Sequence, residues 1–155
     1  MGICYSNKLK NVKIENEFSN INQQSYELFS LNGHNFLGTV IDVYDGDTVT
    51  VIFKCNLFKN NACYKWKCRL LRVDTPEIRT KNTEEKERGL FVRNKLREFI
   101  LNQEVIIECG KFDKYGRLLV EIIVKDNAKH INVSDWLLEH NYAYVYDGGT
   151  KTVFV

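Results

Sequence analysis

The order of the predicted elements indicates an α+β protein that is mainly β, a small five-stranded antiparallel OB-like barrel with two or three helices. Alternating β-branched runs at 36–44 and 47–53 flank the turn dipeptide Asp45-Gly46, which predicts a hairpin. Apolar residues at helical spacing predict a helix after the third strand. The other segments complete the order β-β-β-α-β-β-α, with strands at 63–73, 103–109 and 118–124 and helices at 83–101 and 133–140.

Both predicted helices have sequence signals for their faces and ends. In the first helix, a mostly apolar stripe is expected to face the barrel, formed by Leu90, Phe91, Asn94, Leu96 and Ile100. In the second, Ser134 is the expected N-cap and Asn141 the expected left-handed stop.

Length and charge limit the protein class. A chain of 155 residues is expected to form one domain at 35–155, preceded by a polar tail and linker at 1–34. The net charge is only +2, so the chain has no bulk attraction to polyanions, and nucleic-acid binding would need a local site. No segment is long and apolar enough to predict a transmembrane helix.

The five cysteines predict reduced thiols inside a cell, because their number is odd, none forms a CxxC pair and no secretory segment is visible. A zinc site at Cys55, Cys63 and Cys68 is an alternative, although their spacing matches no zinc-finger pattern.

The first residues, Met1-Gly2-Ile3-Cys4-Tyr5-Ser6, fit the acceptor pattern for N-myristoylation at Gly2. Cys4 could carry a palmitoyl chain, and three lysines follow at Lys8, Lys10 and Lys13. This predicts a protein anchored on the cytosolic face of a membrane through its acylated N-terminus. The alternative is a soluble cytoplasmic protein.

The stretch from Arg69 to Glu77 concentrates polar chemistry at the end of the third strand. Pro76, the only proline, ends the strand because it has no N–H to donate. The oxygens of Asp74, Thr75 and Glu77 are ligands that hard cations prefer, and Arg69 could bind phosphate. Without further signals, the stretch could equally be a polar strand end that caps a turn.

Other segments decide between these interpretations: Asp45-Gly46-Asp47-Thr48, Asp113-Lys114-Tyr115-Gly116-Arg117 and Ala143-Tyr144-Val145-Tyr146. In this order and spacing they, together with the Arg69 stretch, resemble the thermonuclease family of staphylococcal-nuclease-like domains. The resemblance covers residues 36–146. It implies a five-stranded OB barrel and Ca²⁺-dependent cleavage of DNA and RNA that leaves 3′-phosphate ends.

The resemblance also implies a role for each matched residue. Asp47, Asp74 and the Thr75 carbonyl would bind Ca²⁺. Glu77 would act as the general base or orient the attacking water, and Arg69 and Arg117 would hold the scissile phosphate. The implied substrate-binding residues are Lys114, Tyr115, Tyr144 and Tyr146.

The expected chemistry fits these residue types. Arginine forks match phosphate oxygens, and a carboxylate can take or orient a proton of water. Both arginines are expected in a cleft, where their substitution should leave folding intact. Asp113 is interpreted as a turn residue only, and Arg72 as a solvated or backbone-binding residue outside the site.

The expected partners are DNA and RNA, bound as a monomer with little sequence preference and with single strands favoured. Two alternatives remain. One is a non-catalytic binding module like the Tudor-linked relatives, which lack the acid and arginine set. The other is a metal-free OB module for single-stranded nucleic acid, which would not need Glu77.

The resemblance does not extend to the C-terminus, where family members often continue into a long helix. Here nine residues follow Tyr146. We expect the segment 20–34 to cover the corresponding barrel face, with apolar anchors at Tyr26, Leu28, Phe29 and Leu31.

Overall fold

The computed structural model describes residues 26–57, 62–126 and 129–149, and it confirms a mainly β fold with a closed five-stranded barrel and two helices. The strands are β1 (Asn35–Val43), β2 (Thr48–Lys54), β3 (Cys63–Leu70), β4 (Val73–Asp74), β5 (Glu104–Phe112), β6 (Leu118–Asp126), β7 (Lys129–Asn132) and β8 (Tyr144–Val145). The helices are α1 (Thr83–Ile100) and α2 (Val133–Glu139).

The barrel closes through one parallel strand pair, so the prediction of an entirely antiparallel barrel is wrong at this pair. The main sheet has the order β3-β2-β1-β5-β6-β7, and β3 also pairs with β6 in parallel, with Cys68 opposite Leu118. The strands β3 and β6 are separated by α1 and β5 rather than by a hairpin turn. Such a long connection permits a parallel pair, which a short turn does not.

The core fills the barrel and continues beneath α1. Along β2, buried residues alternate with partly exposed ones, as expected for a strand with one face inward. In α1, Leu96 and Ile100 are buried as predicted, whereas Phe91 and Asn94 are exposed. Gly89 and Val92 occupy the buried face instead, because with Leu96 and Ile100 they follow a helical spacing of three and four residues.

The third strand is shorter than predicted. It ends at Leu70, and Arg72 adopts a left-handed backbone conformation with φ of 64°. This bend turns Val73 and Asp74 away from the barrel, where they pair with β8 as a separate two-stranded sheet. The prediction of a continuous strand at 63–73 is therefore wrong, and the break sets the direction of Asp74.

Both helices begin at asparagines. Asn82 caps α1, and Asn132 caps α2 by accepting hydrogen bonds from the backbone N–H groups of Ser134 and Asp135. Ser134 is not the cap, because its hydroxyl donates to the Leu71 carbonyl at 2.9 Å. Asn141 confirms its predicted left-handed role with φ of 57°.

The described part of the segment before β1 buries only one of the four predicted apolar anchors. Tyr26, Leu28 and Phe29 are exposed, with Leu28 at 95%, so these three anchors are wrong. Leu31 is fully buried, and the Gly33 N–H donates to the Cys109 carbonyl at 2.8 Å. Residues 20–25 of the proposed cover lie outside the described residues.

Neither α1 nor α2, the helices of the described part of the chain, is long and apolar enough to cross a membrane.

Candidate active site

The turn between β1 and β2 brings Asp47 against the segment that follows β4. Asp45 forms this turn by accepting hydrogen bonds from the N–H groups of Asp47 and Thr48, at 3.1 and 2.7 Å. Gly46 lies so close to its neighbours that a Cβ there would be 2.6 Å from Thr75 Oγ1 and 2.8 Å from Val92 Cγ1. Only glycine therefore lets the turn pack here without a shift of its neighbours.

Arg69 lies between two buried carboxylates at the centre of the site. One terminal nitrogen is 2.6 Å from Asp47 Oδ2, and the other donates to Asp74 Oδ1 at 3.0 Å. The contact to Asp47 is a close ion pair rather than a well-aligned hydrogen bond. All three side chains are buried, which favours a cost in folding stability when Arg69 is removed, in contrast to the expectation from the sequence.

Hydrogen bonds fix the Asp47 carboxylate from both sides. The backbone N–H and hydroxyl of Thr75 donate to Oδ2 at 3.2 and 3.1 Å, and the Thr48 hydroxyl donates to Oδ1 at 3.2 Å. The Asp47 carbonyl also accepts the Leu70 N–H at 2.8 Å. Asp47, Arg69, Asp74 and Thr75 therefore form one preorganised cluster.

The pairing of β4 with β8 brings the C-terminal tyrosines to this cluster. Tyr144 lies opposite Asp74 in the strand pair. The Tyr146 ring centroid is 5.9 Å from Arg69 Cζ, and its N–H donates to the Arg72 carbonyl at 2.8 Å. The structure thus brings the two C-terminal tyrosines among the predicted substrate-binding residues close to the acidic and basic residues.

Arg117 extends from the turn between β5 and β6 to Thr48, whose hydroxyl donates to Asp47 of the cluster. Its Nε donates to Asp113 Oδ2 at 2.7 Å, and one terminal nitrogen donates to Thr48 Oγ1 at 3.3 Å. Burial alone would raise the pKa of Asp113, but hydrogen bonds from Arg117 and from the Tyr115 N–H together lower that pKa below its ordinary value. Asp113 is therefore more than a turn residue, because it orients a candidate catalytic arginine.

Lys114 and Tyr115 lie at the exposed tip of that turn. Tyr115 is 72% exposed, and its ring centroid is 5.1 Å from Lys114 Nζ and 5.6 Å from Arg117 Cζ. This arrangement offers a flat ring and two cations to solvent.

Glu77 is exposed on the segment between β4 and α1. Its N–H is 3.3 Å from Glu85 Oε1, so a residue in the first turn of α1 supports its backbone. Gly89 lets α1 approach, because a Cβ there would be 2.7 Å from the Pro76 carbonyl oxygen. The sequence interpretation did not identify Glu85 as a residue that supports the site. Its only signal was its position in the acidic first turn of a predicted helix.

Arg72 is half exposed, and it also forms a network that the sequence did not predict. Its guanidinium pairs with Glu121 at 2.6 Å and Asp135 at 2.7 Å, and donates to Asn132 Oδ1 at 3.2 Å. These contacts tie the bend after β3 to β6 and α2. These contacts stabilise the backbone conformation that places Asp74 in the site.

The donors at the centre of the site fit a hard cation by their chemistry. Asp47, Asp74 and the carbonyl of Thr75 offer oxygen ligands, which Ca²⁺ prefers. Within the described ranges, no three His, Cys, Asp or Glu side chains lie close enough together to hold a metal ion alone. A bound Ca²⁺ would therefore need further oxygens from water or substrate. The predicted acylation residues Gly2 and Cys4 lie outside the described part of the chain.

Comparisons with known proteins agree with this geometry. The chain is 34% identical over 142 residues to the uncharacterized protein MJ1439 of Methanocaldococcus jannaschii, a match that covers 79% of this chain and 65% of that protein. It is 30% identical over 145 residues to Endonuclease YncB of Bacillus subtilis, covering 89% of this chain and 63% of that protein. It is 27% identical over 140 residues to Endonuclease Htp3 of Saprolegnia parasitica, covering 83% and 64%.

The matches thus span slightly less than two thirds of each relative's length. The family model of staphylococcal nuclease homologues matches residues 67–153, which include the end of β3, the Arg69 stretch, the Asp113 turn and β8. This match covers more than half of the chain. The protein belongs to the family of staphylococcal nuclease homologues.

Proposed function

We propose that this protein is a Ca²⁺-dependent endonuclease that hydrolyses DNA and RNA and leaves 3′-phosphate ends. The observation that carries the proposal is the buried cluster in which Arg69 contacts Asp47 at 2.6 Å and Asp74 at 3.0 Å. Arg117 reaches Thr48, the residue next to Asp47. The names of two relatives, both endonucleases, support the same activity.

In this proposal Asp47, Asp74 and the Thr75 carbonyl hold Ca²⁺, which would offset the negative charge of the phosphodiester. Arg69 offsets the charge of both carboxylates, and each of its terminal nitrogens carries a second N–H beyond the one that faces Asp47 or Asp74. Those remaining donors are available to a phosphate oxygen. The site can therefore bind an anion beside two carboxylates.

The arginines and Glu77 would have separate roles in the cleavage reaction. Arg69 and Arg117 donate to the phosphate oxygens as negative charge builds up in the transition state. Glu77 is exposed, so water can reach it, and its carboxylate takes or orients the proton of the attacking water. Water then attacks phosphorus, the bond to the 5′ oxygen breaks, this oxygen takes a proton from solvent and leaves as a hydroxyl, and the phosphate stays on the 3′ side.

Single strands would be the better substrates. Tyr144, Tyr146 and Tyr115 can stack on an unpaired base of any identity, whereas paired bases in a duplex are not free to splay. We therefore expect DNA and RNA single strands to be cut faster than duplexes, with little sequence preference.

The test is digestion of single-stranded DNA, RNA and plasmid with Ca²⁺, with Mg²⁺ and with EGTA, followed by end labelling of the products. We expect cleavage with Ca²⁺, none with EGTA, and 3′-phosphate ends. Full activity in EGTA would overturn the metal assignment, and 5′-phosphate ends would overturn the mechanism. Binding without cleavage under all conditions would support a non-catalytic binding module instead.

A further inference from the structure

Two lysines extend along β3 from the candidate active site. Successive residues of a strand face opposite sides of the sheet. On β3, the residues that face the core are Trp66, Cys68 and Leu70. Lys65 and Lys67 therefore lie on the outer side, the side on which Arg69 enters the site. Both lysines are exposed. Each step of two residues moves the position by about 6.6 Å along the strand.

The neighbouring strand β2 places no acidic residue opposite either lysine. Residues directly opposite each other share a face, so Lys67 stands beside Thr50 and Lys65 beside Ile52. Among the described residues, neither lysine takes part in an ion pair. Their charges are therefore available to a ligand.

Arg117 lies over the same surface. The strand β3 is between β2 and β6, and Arg117 immediately precedes β6 while its guanidinium contacts Thr48 at the start of β2. The side chain must therefore cross the outer side of β3, at the level of Arg69, which pairs with Thr48. Lys67 is the next outward residue along the strand.

We propose that Lys65 and Lys67, here named the β3 track, bind backbone phosphates of a single strand that runs along β3 away from the cleavage site. This inference rests on the proposed nuclease function and names the path of its substrate. A row of cations that continues from two arginines suits a ligand with repeated negative charges. Tyr115 at the same end adds an aromatic surface for an unpaired base.

The track should be visible in the salt dependence of binding. Each phosphate contact on a single strand contributes about 0.7 to the slope of log affinity against log salt. The variant Lys65→Ala/Lys67→Ala should therefore lower the slope by about 1.4 for the pair. The measurement is fluorescence anisotropy with an oligothymidylate of about 12 nucleotides, in EDTA so that the probe stays intact.

The control is Lys125→Ala. This lysine is also exposed on a strand, but it lies seven residues beyond Leu118, about 23 Å of strand away from the point where β6 meets β3. It should leave the slope unchanged, and Lys65→Arg/Lys67→Arg should restore it. Circular dichroism melting of each variant checks the fold, which exposed lysines should not affect.

The outcomes separate this inference from the proposed function. An unchanged slope in the double alanine variant, with normal binding by the wild type, overturns the β3 track alone. No binding of the oligonucleotide by the wild type counts against both. If the double variant instead loses only its binding to vesicles of phosphatidylserine and phosphatidylcholine, the lysines contact lipid and the inference is overturned.

Discussion

Arg69 has a structural role as well as its proposed role in catalysis, because it neutralises two buried carboxylates. We predict that Arg69→Ala lowers the free energy of unfolding by about 3–5 kcal/mol, since it leaves buried charges without their partner. Urea denaturation at neutral pH, in EDTA, measures this loss. Adding Ca²⁺ should restore part of it, because the cation would replace the missing positive charge. Equal stability of wild type and variant in EDTA would contradict the prediction.

Asp113 positions Arg117 by accepting hydrogen bonds from its Nε and its backbone N–H, and it also accepts the Tyr115 N–H. The pKa of Asp113 is lowered in the folded state from its ordinary value of 3.8, so its stabilising contribution is present above that value and is lost as pH falls through the lowered folded pKa. We predict that the stability difference between wild type and Asp113→Asn is constant from neutral pH to about pH 5 and shrinks below pH 4. Urea denaturation across this range measures it. A difference that grows on acidification would contradict the assignment.

Glu77 is the only acidic candidate of the site that is exposed rather than buried with Arg69. We predict that Glu77→Gln lowers kcat by about 10²–10⁴-fold, the range for loss of a general base. Calcium affinity, measured by isothermal titration, should change little because Asp47 and Asp74 remain. Glu84→Gln, an exposed glutamate in the first turn of α1, is the matched control. Loss of calcium affinity with unchanged kcat would make Glu77 a ligand instead.

At the level of elements, the site depends on how closely the β1–β2 turn packs against the segment after β4. A methyl group at Gly46 would overlap Thr75 and Val92, so Gly46→Ala must displace the turn that carries Asp47. We predict a loss of about 1–3 kcal/mol in stability, as for other overpacked sites, together with weaker Ca²⁺ binding. Thermal denaturation and calcium titration test the two effects. A variant with wild-type values for both would show that the turn does not position Asp47.

The bend after β3 is a second element on which the site depends. Arg72 adopts its left-handed conformation while its guanidinium contacts Glu121 and Asp135. Ser134 of α2 also binds the Leu71 carbonyl at this bend. Helix α2 thus supports the backbone that turns Asp74 towards Arg69, although it contributes no residue to the site itself.

At the level of the whole molecule, the remaining proposal concerns location. We propose that Gly2 is myristoylated and Cys4 palmitoylated, so that the domain is held on the cytosolic face of a membrane. One acyl chain binds with an affinity of only about 10⁴ M⁻¹, so the second chain should decide lasting attachment. Fractionation of eukaryotic cells should find wild type in the membrane, Gly2→Ala soluble and Cys4→Ser divided between both. Equal solubility of wild type and Gly2→Ala would contradict acylation.

The sequence by itself determined the approximate positions of the five barrel strands, the hairpin, the main helix and the family, because these depend on local periodicity and on residue types at short spacing. The pattern around Asp45-Gly46 specifies a turn whatever lies next to it, and the Arg69 stretch contains its acids and cation within nine residues. The site residues Asp47, Arg69, Asp74 and Thr75, selected by resemblance, do come together in the structure.

Only the tertiary structure decided what these residues contact. The partners of Arg72 are 49 and 63 residues away in the chain, and the bond from Arg117 to Thr48 spans 69 residues. Strand propensity predicts one continuous strand from Leu70 to Val73. The alternation of apolar and polar residues contains no information about the side-chain network that stabilises a left-handed backbone conformation. The burial of Arg69 could not be predicted for the same reason. A charged residue is expected to be exposed, and the two carboxylates that pair with Arg69 come from different elements of the fold.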